Sequence, residues 1–200
     1  MTRTARLGAG GRDSPGRRAV SSALAMTSDP FRVLGLEPAF ELDPEQVRKA
    51  TLVRSARLHP DRAPDPVTAA ENASKLAEVN EAASTLLDEL ARAEVMIRIH
   101  GGPGPSEDRT LPDGFLEDIL ATRLELEEAV ARGDDVGKET LRSWAEGEWA
   151  ERRRRVAALI DRDPAPGEEE LREARREVNR WRYSQRMLDQ IDGDASGRGA

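Results

Sequence analysis

Leu58-His59-Pro60-Asp61-Arg62 is the stretch that decides the fold. It joins an imidazole, a rigid turn former and a carboxylate, with Arg54 and Arg57 just upstream. Pro60 disfavours helical backbone at His59, so a helix reaching Leu58 must stop there. Two readings of the triplet stay open on its own chemistry. Either Pro60 ends a helix, Asp61 makes a local turn hydrogen bond and His59 is incidental, or the three side chains are presented for recognition.

Outward from this turn the chain reads as helices. Upstream, Asp43-Pro44-Glu45-Gln46 supplies an N-cap, a proline at the first helical position and a capping-box partner. A helix follows through Val47, Ala50, Leu52, Val53 and Leu58. Before it, Asp29-Pro30-Phe31-Arg32-Val33-Leu34 forms a short helix stopped by Gly35. Downstream, Ala63-Pro64-Asp65-Pro66 closes the turn. Leu76, Val79, Ala83, Leu86, Leu87 and Leu90 then predict a long helix over 68–92, with a further short one over 93–99. Gly101-Gly102-Pro103-Gly104-Pro105-Ser106 cannot continue a helix, so residues 101–112 read as a linker. Beyond it the periodicity predicts helices over 113–131, 136–160 and 168–191, joined closely enough to be antiparallel neighbours.

Composition narrows the function. Of 200 residues, 34% are charged and only 4% aromatic, which suits helical bundles with Leu, Ala and Val stripes. A net charge of −7 argues against a nucleic-acid partner. No apolar run approaches a membrane span, so no membrane partner is expected. The absence of cysteine excludes thiol catalysis and cysteine ligation of zinc or iron–sulfur clusters. With only His59 and His100 as imidazoles, no metal site and no cofactor are expected. An enzyme using His59 and Asp61 as an acid–base pair is a poor reading, because a surface turn lacks a pocket and further titratable partners. The chain is read as working through its surfaces.

The wider context of the turn resembles the J-domain of Hsp70 co-chaperones, and more narrowly the HscB family. The resemblance rests on Asp29-Pro30-Phe31 with Leu34-Gly35-Leu36, Phe40-Glu41-Leu42-Asp43, Leu58-His59-Pro60-Asp61-Arg62 and Val79-Asn80-Glu81-Ala82. It continues through Thr85-Leu86, Arg92-Ala93-Glu94, Ile99-His100-Gly101, Phe115-Leu116 and Trp181-Arg182-Tyr183, covering residues 29–191. It implies an all-α fold: an N-terminal J-domain helical hairpin over 28–100, the linker over 101–112, and a C-terminal three-helix oligomerisation and scaffold-binding bundle over 113–192. It also implies that His59, Pro60 and Asp61 dock on an Hsp70-type, HscA-like chaperone and stimulate its ATPase. Arg48, Lys49, Arg54 and Arg57 would steer that helix onto an acidic chaperone surface; any one of them can equally be read as part of a solvated helix face. The chain departs from the family where Thr51 and Ala83 replace aromatics and Arg54 replaces a leucine, which thins the J-domain core.

Periodicity adds a second surface. On a helical wheel Phe115, Ile119, Leu126 and Val130 share one stripe, while Leu116, Leu120 and Leu124 form another about 100° away. In the last helix Leu171, Ala174, Val178, Trp181 and Leu188 cluster, and Tyr183, Met187 and Ile191 point elsewhere. Either the surplus stripes bury against the first domain or widen the bundle core, or they form an exposed patch for a protein partner. The resemblance favours the patch: Leu116, Leu120 and Tyr183 match positions that bind an IscU-like iron–sulfur scaffold, with Leu124 at a further contact position. Arg152-Arg153-Arg154-Arg155 reads as a solvated face, salt-bridged to Glu148 and Glu151.

The expected protein is therefore a non-enzymatic, monomeric co-chaperone of iron–sulfur cluster assembly. A divergent J-protein adaptor for another client, or a structural docking module, is the alternative. Residues 1–27, Arg-rich with Asp13 the only acid, read as a disordered tail, with a transit peptide or a start at Met26 as alternatives. Residues 193–200 read as a second tail. The expected setting is the bacterial cytoplasm, with the mitochondrial matrix second.

Overall fold

The structure, a computed structural model, describes residues 29–59 and 63–197, with the backbone alone for 194–197. The N-terminal tail, Pro60, Asp61 and Arg62 lie outside the described residues. Seven helices and no strand occur among the described residues: α1 (Pro30–Leu34), α2 (Pro44–Arg57), α3 (Pro66–Leu87), α4 (Glu89–Ile99), α5 (Phe115–Arg132), α6 (Asp135–Ile160) and α7 (Glu168–Gly197). The fold is all-α.

Aspartate and proline start the first three helices. Asp29, Asp43 and Asp65 each accept a hydrogen bond from a first-turn N–H, and a proline follows each of them. Gly35 ends α1 at φ 66°, a left-handed position where glycine carries no Cβ penalty. The break between α3 and α4 falls at Asp88, not near Arg92 as the periodicity predicts. Asp88 is extended at ψ 114°, and its carboxylate accepts from the N–H groups of Leu90 and Ala91, starting a new helix. The last helix runs through Gly197 rather than ending at Ile191.

In the N-terminal half, α1 and α2 pack on α3 around Phe31, Leu34, Val47, Val79 and Leu86. Only Val47 of α2 is fully buried; Leu52 and Val53 face solvent. In the C-terminal half, α6 and α7 form the main antiparallel pair and α5 lies against both. The two halves share one core. Phe40, Ile97, Val156, Ile160, Val178 and Trp181 belong to the same buried cluster as the N-terminal residues. A smaller cluster of Leu126, Ala145, Met187 and Ile191 joins α5 to α6 and α7. Met187 and Ile191 are therefore core residues, not part of a surplus stripe. α7 meets α4 and α6 on one side and α5 on another, so it needs two apolar faces.

Charged side chains lock the halves together around Phe40, which is fully buried. Its ring meets Trp181 edge-on at 6.2 Å, and the guanidinium groups of Arg92 and Arg153 lie 5.4 and 5.5 Å from its centroid. Its N–H and that of Glu41 donate to the carboxylate of Asp161, the C-cap of α6, at 2.8 and 2.7 Å. Arg92, only 3% exposed, donates to the carbonyl of Phe40 at 2.8 Å and to that of Leu86, satisfying an orphan carbonyl at the end of α3. Arg153 reaches Glu41 with both terminal nitrogens and Glu89 with Nε, all at 2.9 Å.

This corrects the reading of the arginine run. Arg154 and Arg155 are solvated, and the Glu148–Arg152 and Glu151–Arg155 pairs form. Arg152, however, is buried against Glu177 at 3.0 Å, and Arg153 clamps the two halves. Below the clamp Glu94 takes both Arg175 and Arg182. Arg175 also donates to the carbonyl of Pro103, at 2.9 Å. Residues 101–112 are thus tied to α7 rather than free, and a Cβ on Gly102 would meet Ile97 at 2.7 Å and Leu171 at 3.0 Å.

Candidate docking surfaces

The first surface surrounds the end of α2. Leu58 is its C-cap, and His59 follows it, exposed. After the undescribed residues the chain resumes at Ala63, and Asp65 starts α3 by accepting from Val67 N, Thr68 N and the Thr68 hydroxyl. Those hydrogen bonds hold the Asp65 carboxyl below its ordinary range. The turn therefore connects two helix ends that are each fixed by local hydrogen bonds.

The four basic residues predicted beside the turn do not form one stripe. At roughly 100° per residue, Arg48 and Arg57 lie on opposite sides of α2. Arg48, paired with Glu45, and Lys49 are exposed on the outer face that also carries Leu52. Arg54 and Arg57 instead line a groove of about 400 Å³ between α1, α2 and α3, with Arg32 and Lys75. Its apolar floor is Val33, Leu58 and Val79, and Glu78 is its one acid. Arg54 is half-buried, its guanidinium lying so close over Gly35 that any Cβ there would collide with it. The arginine thus covers the C-terminal end of α1, whose carbonyls favour a cation. Thr51, the other departure on α2, turns its hydroxyl back to the carbonyl of Val47 at 2.8 Å.

The second surface is on α5. Leu126 and Ala129 face the core, while Leu116, Leu120 and Leu124 are 53%, 58% and 52% exposed. Three leucines at i, i+4 and i+8, each more than half open to water, form a continuous apolar ridge. Tyr183 of α7 joins it through Phe115: the two rings meet edge-on at 5.6 Å, and Arg180 lies 5.4 Å over the Phe115 ring. The geometry brings Leu116, Leu120 and Leu124 together on one side of α5, with Tyr183 at its edge.

Sequence reasoning assigned no role to Arg92, Asp161 or Glu94 and read Arg153 as solvated, yet these four residues fix one surface relative to the other. Arg92 and Glu94 lie in a quoted motif, but nothing local marks them as clamps. Among the described residues no group of histidine or acidic side chains is arranged to hold a metal ion, and no helix is long and apolar enough to cross a membrane.

No family model matches the chain. Individual relatives do. A co-chaperone protein HscB homologue of Ralstonia nicotianae is 31% identical over 134 residues, spanning 66% of this chain and 76% of that protein. An iron–sulfur cluster co-chaperone protein HscB homologue of Arabidopsis thaliana is 31% identical over 109 residues, spanning 54% of this chain and 42% of the relative. Among solved structures, human co-chaperone protein HscB superposes with a TM-score of 0.71 at 20% identity, over 84% of this chain and 82% of that one. The helical hairpin and three-helix bundle thus have the architecture of a J-type co-chaperone. The chain belongs to the HscB co-chaperone family.

Proposed function

We propose that this protein is an Hsp70 co-chaperone of iron–sulfur cluster assembly that holds two partners at once. The His59-Pro60-Asp61 turn and α2 engage an Hsp70-type chaperone in its ATP state and stimulate hydrolysis. Asp61 pairs with a chaperone arginine, and His59 and Pro60 hold the turn's shape. Arg48 and Lys49 meet an acidic chaperone surface from the outer face of α2, and Arg54 and Arg57 do so from the groove side. The Leu116–Leu120–Leu124 ridge, with Tyr183, carries an IscU-like scaffold protein as client. Catalysis belongs to the chaperone.

The observation that carries this reading is the exposed leucine ridge, on a helix whose opposite face is core. Stability gives no reason to keep three such leucines in water, whereas docking does. Family membership supports the chaperone half of the reading. Titration calorimetry tests it with the full chain, the cognate Hsp70 with ATP, and the scaffold. Asp61→Asn should abolish only the first binding event, and Leu116→Ala/Leu120→Ala only the second. Loss of both events in either variant, or of neither, counts against two independent surfaces.

A further inference from the structure

Beside the leucine ridge lies a pocket of about 320 Å³ whose charged lining is entirely basic. Its floor is one face of α7, where Asn179, Arg182, Tyr183 and Arg186 recur at i, i+3, i+4 and i+7. Its wall is the 105–111 segment, which contributes Arg109 and Leu111. That wall is anchored: Asn179 Nδ2 donates to the carbonyls of Asp108 and Thr110 at 3.2 and 3.3 Å. Three arginines line the pocket and no carboxylate does.

The nearby acids are already engaged. Glu94 takes Arg182 and Arg175. Asp108 accepts from Thr110 N at 2.8 Å, and its carboxyl is held below the ordinary range by Thr110, with help from Arg176 and Arg175. Arg109 and Arg186 form no ion pair among the described residues, although the chain has 38 acidic side chains to 31 basic ones. Arg186 instead lies 5.7 Å over the ring of Tyr183. Two guanidinium groups with no ion pair among the described residues thus flank a half-buried tyrosine at the edge of the leucine ridge. Guanidinium forks match carboxylates geometrically, and a partner's acid would find here a positive site directly beside the apolar ridge.

We propose that this pocket receives a carboxylate side chain of the protein that docks on the Leu116–Leu120–Leu124 ridge. The inference rests on the scaffold reading above and deepens it. Tyr183 makes the two surfaces continuous, since one ring lines the pocket and also meets Phe115 at the start of the ridge helix. The ridge supplies contact area, and Arg109 and Arg186 set the register of the partner by charge.

The test is calorimetric titration of the cognate scaffold into the full chain at low and high salt. Arg109→Ala/Arg186→Ala leaves Arg182 and its bond to Glu94 in place, and both substituted residues are exposed, so thermal melting should be unchanged. At two rim-type ion pairs, binding should weaken ~3–10-fold at low salt. The wild-type salt dependence should flatten in the variant. Arg109→Glu/Arg186→Glu should weaken binding further, and Arg109→Lys/Arg186→Lys should recover part of it. The alanine variant binding like wild type at both salt concentrations, while Leu116→Ala/Leu120→Ala still loses binding, would overturn the pocket and leave the scaffold reading standing. No binding by the wild-type chain would overturn both.

Discussion

Phe40 is the residue on which the two halves converge, so truncating it should loosen the whole molecule. Phe40→Ala empties a site that is fully buried, removes the edge contact with Trp181 at 6.2 Å, and strips the ring from beneath Arg92 and Arg153. Core Phe→Ala truncations cost about 3–5 kcal/mol. For a chain of this size, that corresponds to a fall in Tm of roughly 6–20 °C. Phe40→Leu keeps most of the volume and should lose only about 1–2 kcal/mol, the aromatic and cation–π share. Urea unfolding followed in parallel by far-UV circular dichroism and tryptophan fluorescence measures this, because Trp149 and Trp181 both belong to the Phe40 cluster. In wild type the two probes should trace one transition, as expected of a single core. A loss below about 1 kcal/mol in Phe40→Ala, or separate transitions in wild type, would refute a core shared by both halves.

Three further outcomes follow from the same contacts. Asp161→Ala removes the acceptor for the N–H groups of Phe40 and Glu41 and should cost about 2 kcal/mol in urea unfolding, part of it recovered in Asp161→Asn. The Glu41 carboxyl is held below its ordinary value of 4.5 by the hydrogen bond from Arg153. Its stabilising contribution is therefore present above that ordinary value and lost as pH falls through the lowered folded-state value. Wild-type Tm should decline more steeply than that of Glu41→Gln in that acid range. Leu116→Ala/Leu120→Ala should change stability by no more than about 0.5 kcal/mol, because both side chains are more than half exposed.

Much of the fold is legible in local chemistry. Asp-Pro pairs and Gly35 mark the early helix boundaries, and Gly133 ends α5 in the left-handed conformation. The break at Asp88 has neither proline nor glycine beside it, and Leu86, Leu87 and Leu90 keep helical spacing straight across it. Only the capping carboxylate separates the two helices, and that signal is weak when the apolar pattern is continuous. The inner and outer stripes of α5 can be read from a wheel because that helix contacts the rest of the fold on one side. Met187 and Ile191 cannot, because α7 is packed on two sides. The clamp is invisible locally for another reason. Arg153 finds Glu89 64 residues away and Glu41 112 residues away, whereas the i,i+4 pairs legible in the sequence belong to its neighbours Arg152 and Arg155.

The candidate sites divide in the same way. The exposure of Leu116, Leu120 and Leu124 follows from their angle on α5. The split of the basic residues between the outer face of α2 and the Arg54–Arg57 groove depends on where α1 and α3 lie, which the residues of α2 alone do not encode. The basic pocket needs the 105–111 segment laid along α7, a placement held by Asn179 and Arg175.

The most direct test of the central claim is single-turnover ATP hydrolysis by the cognate Hsp70 with this protein added, with and without the scaffold. The account predicts acceleration by the wild-type chain and a further gain with scaffold. Asp61→Asn should remove all stimulation, and Leu116→Ala/Leu120→Ala only the scaffold-dependent gain. Stimulation by Asp61→Asn equal to that of wild type would contradict it.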